Sequence, residues 1–172
     1  MKHNIRMEYK NIILRPLEQE DIEYLREWRN DEKNTKYLRK IGYISEEQQK
    51  KWYEGYLVNE DEYTFAIEER CELNRIVGSA SLYGFNNGQV EFGKILIGDS
   101  EAHGKKIGCH TTEAISSIAF DYFNCKKVIL RCFVENKGAC YVYKQAGFCE
   151  VDSYITSDGQ EEVFMELTKG NL

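Results

Sequence analysis

The chain has one proline, Pro16, in 172 residues, and no run rich in glycine and serine. With no linker composition to divide it, one domain over residues 1–172 is expected. There is no internal repeat and no low-complexity segment, which argues against a repeat array and a disordered chain. No apolar run approaches the roughly 20 residues that a bilayer span needs, so no membrane partner is expected. The opening MKHNIRMEYKN has no apolar stretch behind its basic residues, which argues against a secretory signal. Positive charge is not in excess. The 29 acids outnumber the 23 bases, for a net charge of −6, and nucleic acid is not an expected partner.

Paired metal ligands are also missing. The six cysteines, Cys71, Cys109, Cys125, Cys132, Cys140 and Cys149, form no C-x-x-C, and no histidine stands at ligand spacing from a cysteine pair. No metal site is expected. Without an export signal these thiols are read as reduced in a cytoplasm, serving as small buried apolar residues. A G-x-x-x-x-G-K-[ST] phosphate loop is absent as well.

What is present is a mixed pattern of strands and helices. Residues 11–17 (NIILRPL) read as a short strand stopped by Pro16. Residues 18–30 read as a helix, with Ile22, Leu25 and Trp28 at three-residue spacing and acids crowding the first turn. Residues 31–43 have no clean period and read as a loop. Ser45 with Gln48 forms a capping box that starts a second helix, to about Val58. Three β-rich runs follow, at 63–67, 76–83 and 90–97, with Asn86-Asn87-Gly88 as a hairpin signal between the last two. A glycine-containing loop at 102–108 leads into a helix to about Phe123. Residues 127–134 read as a buried strand. Residues 137–145 read as a short helix closed by Gly147, and 148–155 and 162–167 as two final strands. This order is a mixed α/β sandwich and not the regular alternation of a doubly wound dinucleotide fold.

Two elements carry candidate chemistry. The first is the loop His103-Gly104-Lys105-Lys106-Ile107-Gly108 between a strand and a helix. Backbone N–H groups entering a helix N-terminus attract an anion, and the helix dipole adds to them. Local charge agrees: residues 94–144 hold eight bases and five acids, +3 in a chain of −6, which favours a polyanionic ligand. The second element is Asn136, Ala139, Tyr143 and Gly147-Phe148, an N-x-x-A-x-x-x-Y-x-x-x-G-F pattern across a strand end, a short helix and the next strand.

Together these elements resemble the GNAT superfamily of acetyl-CoA-dependent N-acetyltransferases, over nearly the whole chain. The opening Leu14-Arg15-Pro16-Leu17 with Asp21 and Trp28-Arg29-Asn30 resembles its ribosomal-protein N-acetyltransferase-like branch, which also includes polyamine and amino-sugar enzymes. The loop departs from the family pattern at His103, where glutamine or arginine is usual, and at Lys106, where a glycine is usual. If that position needs a positive φ, lysine costs about 1–2 kcal/mol there and cofactor binding suffers. If it is helical, Lys106 costs little and reaches a phosphate.

The resemblance implies an α/β GNAT fold: a mixed, mostly antiparallel sheet of six to seven strands, flanked by helices and splayed between the fourth and fifth. It implies acetyl-CoA in that gap, held by backbone groups of Ile95, Leu96 and Ile97, by the 103–108 loop and by Asn136. Tyr143 falls on the family's tyrosine position and would give the leaving thiolate its proton. Glu91 would take the amine's proton through a water. Trp28, Arg29, Tyr37 and Tyr43, with the 154–161 turn, would form the acceptor site. Arg29 suits a phosphate or carboxylate, and Asp158, Glu161 and Glu162 suit a polyamine or a basic peptide terminus. The acceptor expected is a small amine or a nucleotide-linked amino sugar. A protein N-terminus and a non-catalytic CoA-binding module are the alternatives. The sequence is compatible with a homodimer as well as a monomer.

Overall fold

In the computed structural model, which describes residues 2–38 and 41–171, one eight-stranded sheet carries every strand among the described residues. Its strands are β1 (Met7–Tyr9), β2 (Ile12–Pro16), β3 (Glu62–Glu69), β4 (Arg75–Asn86), β5 (Gln89–Ile97), β6 (Lys127–Phe133), β7 (Cys149–Ile155) and β8 (Glu161–Thr168). The spatial order is β1-β2-β3-β4-β5-β6-β8-β7. Every pair is antiparallel except β5 with β6. The expected six to seven strands become eight because of β1, three residues folded back on β2 through Lys10 at φ 51°. So short a strand gives no period to read.

The helices are α1 (Ile22–Asn30), α2 (Glu32–Thr35), α3 (Glu46–Val58), α4 (Ile107–Ser117) and α5 (Lys137–Gln145). Local chemistry explains most of their ends. The Ser45 hydroxyl accepts from the Gln48 N–H at 3.2 Å while the Gln48 carboxamide accepts from the Ser45 N–H at 2.8 Å, the reciprocal cap that begins α3. Asn136 accepts from the Ala139 N–H at 3.2 Å and begins α5. Gly147, at φ 91°, lies just past its end. Asn87 and Gly88, at φ 48° and 78°, form the two-residue turn that joins β4 to β5, and both central residues of a type I′ turn need positive φ.

Two expectations need correction. The 31–43 loop contains a single helical turn, α2, because the Asp31 carboxylate accepts from the Lys33 N–H at 2.9 Å; positions 39 and 40 of that segment lie outside the described residues. Of the six cysteines only Cys125 and Cys132 are buried, while Cys71 and Cys149 are exposed. All six are free thiols.

Alternation along the strands divides the apolar residues between the two faces of the sheet. Phe65, Ile67 and Val77 join the larger core with Ile115 and Ile118 near the end of α4 and with Tyr143 and Ala146 at the end of α5. Ala66 and Ile76 join a smaller core with Ile22 and Leu25 of α1 and Tyr53 and Tyr56 of α3. The Arg15 guanidinium ties β2 to the start of α1, bonding both Asp21 oxygens at 2.6 and 2.8 Å and Glu68 at 2.6 Å. Among the described residues no helix is long and apolar enough to cross a membrane.

Candidate active site where two strands part

β5 and β6 pair only at Gln89–Lys127, Val90–Val128 and Glu91–Ile129. Beyond Glu91 they diverge. The divergence has a local cause on the other edge of β5. Against β4, Ser81 faces Gly93 but Ser79 faces Leu96, so Lys94 and Ile95 together oppose the single residue Ala80. Lys94 takes φ 51°, the left-handed conformation that such a bulge needs. The extra residue bends β5, and residues 92–97 run on with no strand partner on the β6 side. Unpaired main-chain groups along that edge are available to a ligand.

A cleft of about 610 Å³ fills the gap, lined by Glu91, Gly93, Ile95 and Ile97 on the β5 wall. Arg131 and Cys132 of β6, Asn136, and Ala139, Val142 and Tyr143 of α5 form the opposite wall. Tyr143 is buried and meets Phe92 edge-on at 6.0 Å. Burial, with a smaller contribution from the Cys132 and Cys140 thiols, pushes its phenol well above its ordinary value of ten. Its hydroxyl bonds no described residue, and the side chain lines the cleft. Glu91 is held from two strands: the Tyr83 hydroxyl donates to its Oε1 at 3.0 Å and Arg131 approaches at 3.4 Å. Burial and the Glu91 charge push the Tyr83 phenol up in turn. Gly93 gives Tyr83 room, since a Cβ there would lie 2.4 Å from its hydroxyl.

At one end of the cleft is the start of α4. Its first N–H groups, at Ile107, Gly108 and Cys109, have no intrahelical acceptor. A Cβ added at Gly104 or Gly108 would meet nothing within 4 Å, so the loop is open to a ligand there. Lys106 takes φ 61°, so of the two alternatives the strained one is observed. Lys106 bonds no described residue, Lys105 pairs with Glu72, and the His103 ring bonds the Ile97 carbonyl oxygen at 3.1 Å. A donor-rich helix start followed by a strand edge without a partner fits a phosphate-bearing ligand with an extended amide arm.

On the other side of β5 lies a second cavity of about 450 Å³. Leu25 and Arg29 of α1, Gln49 and Trp52 of α3, Tyr43, Ser79, Ser81, Lys94 and Leu96 line it. Lys94 is neutralised by Glu62, with both oxygens at 2.7 Å. Arg29 lines both cavities, and Tyr37 lines the first. Trp28 lines neither; it packs over Gly98, where a Cβ would fall 2.0 Å from its ring. Glu162 reaches the cleft wall and accepts from Tyr154, while Asp158 stays on its own turn, accepting from Thr156.

The structure therefore gathers Glu91, Ile95, Ile97, Gly108, Asn136, Tyr143, Arg29 and Tyr37 around one cleft. Leu96 and Tyr43 lie on the second cavity. Sequence reading missed Tyr83, Gln49 and Trp52, and it counted Lys94 and Arg131 only as charges. The one available signal was Gly93, a glycine inside a strand run, which marks a bulge or a close approach.

Comparison with known proteins agrees with this geometry. Residues 11–149 match the acetyltransferase (GNAT) domain family. No curated protein sequence matches the chain. Among solved structures, a spermidine N-acetyltransferase from Vibrio cholerae, in complex with CoA and spermine, superposes with a TM-score of 0.82. It is 22% identical, over 94% of this chain and 97% of that one. A GNAT-family acetyltransferase from Bacillus anthracis superposes with a TM-score of 0.82 at 16% identity, over 96% and 99% of the two chains. A domain from Methanocaldococcus jannaschii reaches 0.76 at 25% identity, over 94% and 99%.

Proposed function

This chain belongs to the GNAT acetyltransferase family, and on that premise we propose that it moves an acetyl group from acetyl-CoA to a primary amine by direct transfer, within one domain. The observation that carries the reading is the parting of β5 from β6, with the Tyr143 hydroxyl free in the gap and a second cavity across β5. Acetyl-CoA supplies the thioester and, as leaving group, its thiolate. The N–H groups at the start of α4, with Lys106, hold its phosphates. The open edge at Ile95 and Ile97 hydrogen-bonds its amide arm and donates to the thioester oxygen as charge grows there, which is oxyanion stabilisation by main-chain groups. Glu91, fixed by Tyr83 and Arg131, accepts the amine's proton through a water. Tyr143, kept protonated by burial, donates toward the sulfur. In balance, the amine loses one proton and the sulfur gains one.

The acceptor proposed is a small amine or a nucleotide-linked amino sugar, entering from the second cavity. A ribosomal-protein N-terminus rests only on the motif of Leu14–Leu17, Asp21 and Trp28–Asn30, in which Arg15 and Asp21 bond each other. The cytoplasm is the compartment we propose, since six free thiols suit a reducing one. The test is thermal unfolding with acetyl-CoA, followed by thiol release with a panel of amines. At a hundredfold excess over Kd, binding adds about 2.7 kcal/mol, a rise of roughly 5–10 °C for a chain of this size. No shift at millimolar acetyl-CoA overturns the reading.

A further inference from the structure

Every half-buried arginine among the described residues has a carboxylate partner except one. Arg15 has Asp21 and Glu68, and Arg26 has Glu23. Arg29 makes no hydrogen bond and no ion pair with any described residue, although it is partly buried at the junction of the two cavities. Burial alone lowers its pKa from the ordinary value, with no opposing carboxylate. A desolvated guanidinium without a partner is costly, and such a fork matches carboxylate and phosphate oxygens.

The surroundings carry the same sign. Among the described residues no carboxylate lines the second cavity, and its only other charge, Lys94, is already matched by Glu62. The adjoining outer recess carries Lys33 and Lys36 against Glu32 alone. The walls beside Arg29 are apolar and aromatic, with Leu25, Tyr43 and Trp52. Within the second cavity a polycation would meet no carboxylate from the described residues. We infer that the acceptor is a primary amine that also carries an anionic group, a carboxylate or a phosphate, which Arg29 grips while the amine enters the parting of β5 and β6. This rests on the acetyltransferase reading and adds the substrate class to it.

The test is binding calorimetry on the full chain, with and without CoA, using amines matched except for charge. Phenylalanine against phenethylamine gives the carboxylate arm, glucosamine 6-phosphate against glucosamine the phosphate arm, and spermidine the polycation arm. A charge-assisted contact of this kind predicts about 10- to 100-fold tighter binding of the anionic member in at least one arm. Arg29→Met should reduce that preference to less than about twofold, and Arg29→Lys should restore part of it. Because Arg29 has no partner among the described residues, neither variant should lower the melting temperature. The inference is overturned if neither anionic amine binds more tightly than its match, if spermidine binds best, or if Arg29→Met keeps the preference. CoA binding is read in the same titrations. Its absence sinks the acetyltransferase reading, while the charge preference, measured without CoA, still decides the role of Arg29.

Discussion

The two cavities that meet at β5 are built from different materials. On the β6 side the ligand-facing groups are largely main chain: an unpaired strand edge and the opening N–H groups of α4. Only a few side chains, Tyr143 and Glu91 among them, are asked for particular chemistry. On the α1–α3 side the wall is made of side chains, from Leu25 and Arg29 to Trp52 and Lys94. Main-chain recognition needs a backbone shape, and many residues provide it. Side-chain recognition needs particular residues brought together from distant parts of the chain. The first suits a ligand common to many enzymes, and the second suits one that differs between them.

Substitutions can sharpen or break this contrast. Tyr143→Phe should have the largest effect, lowering kcat by about 10²- to 10⁴-fold while the acetyl-CoA Kd holds. Stopped-flow thiol release beside calorimetry measures both. An unchanged kcat would leave the cleft with no essential proton donor. Gly78→Ala strikes the wall between the cavities. A Cβ there would lie 2.3 Å from the Leu96 carbonyl oxygen, which is backbone and cannot swing aside. A loss of about 1–3 kcal/mol is expected in urea unfolding, with weaker binding on both sides. Binding weakened on one side only would mean that the cavities are more independent than β5 suggests.

Alkaline pH probes the buried phenols on both sides. Burial pushes Tyr56, beside the smaller core, up to about 12, and raises Tyr83 and Tyr143 as well. A group with a raised folded pKa contributes stability in full below its unfolded value and loses it above. The melting temperature should therefore hold up to about pH 10 and fall beyond it, and Tyr56→Phe should flatten part of that fall. The smallest effect belongs to Lys106→Gly. Relief of about 1–2 kcal/mol of left-handed strain is partly offset by the freer unfolded chain of glycine, about 0.4–1 kcal/mol. The melting temperature should rise by a few degrees. Acetyl-CoA should bind slightly less well if the lysine reaches phosphate.

The same contrast explains what could be read in advance. Helix α5 was legible residue for residue because Asn136 and Gly147 are local punctuation, and the Asn87-Gly88 turn was legible for the same reason. Ile95, Ile97, Gly108 and Asn136 were named through the family resemblance, and the structure brings them to one cleft; their cofactor role is the proposal made above. The Lys94 bulge was not, since lysine is no usual bearer of positive φ and only register with β4 reveals it. Tyr83, Glu91 and Arg131 come from three strands and meet only across the sheet. Gln49 and Trp52 gave no signal, because the α3 period does not announce which face meets a cavity. Trp28 was singled out for the acceptor, but its ring packs over Gly98.

The bulge at Lys94 has a consequence for how such an enzyme diversifies. A slot framed by peptide groups is indifferent to most spelling changes, so a lineage can drift while keeping one acyl donor. Across the same strand, under the acceptor site proposed above, a few letters at positions such as 29, 49 and 52 would rewrite the clientele. One extra residue in β5 thus leaves a slot framed by peptide groups and a cavity framed by side chains on opposite sides of a wall one strand thick.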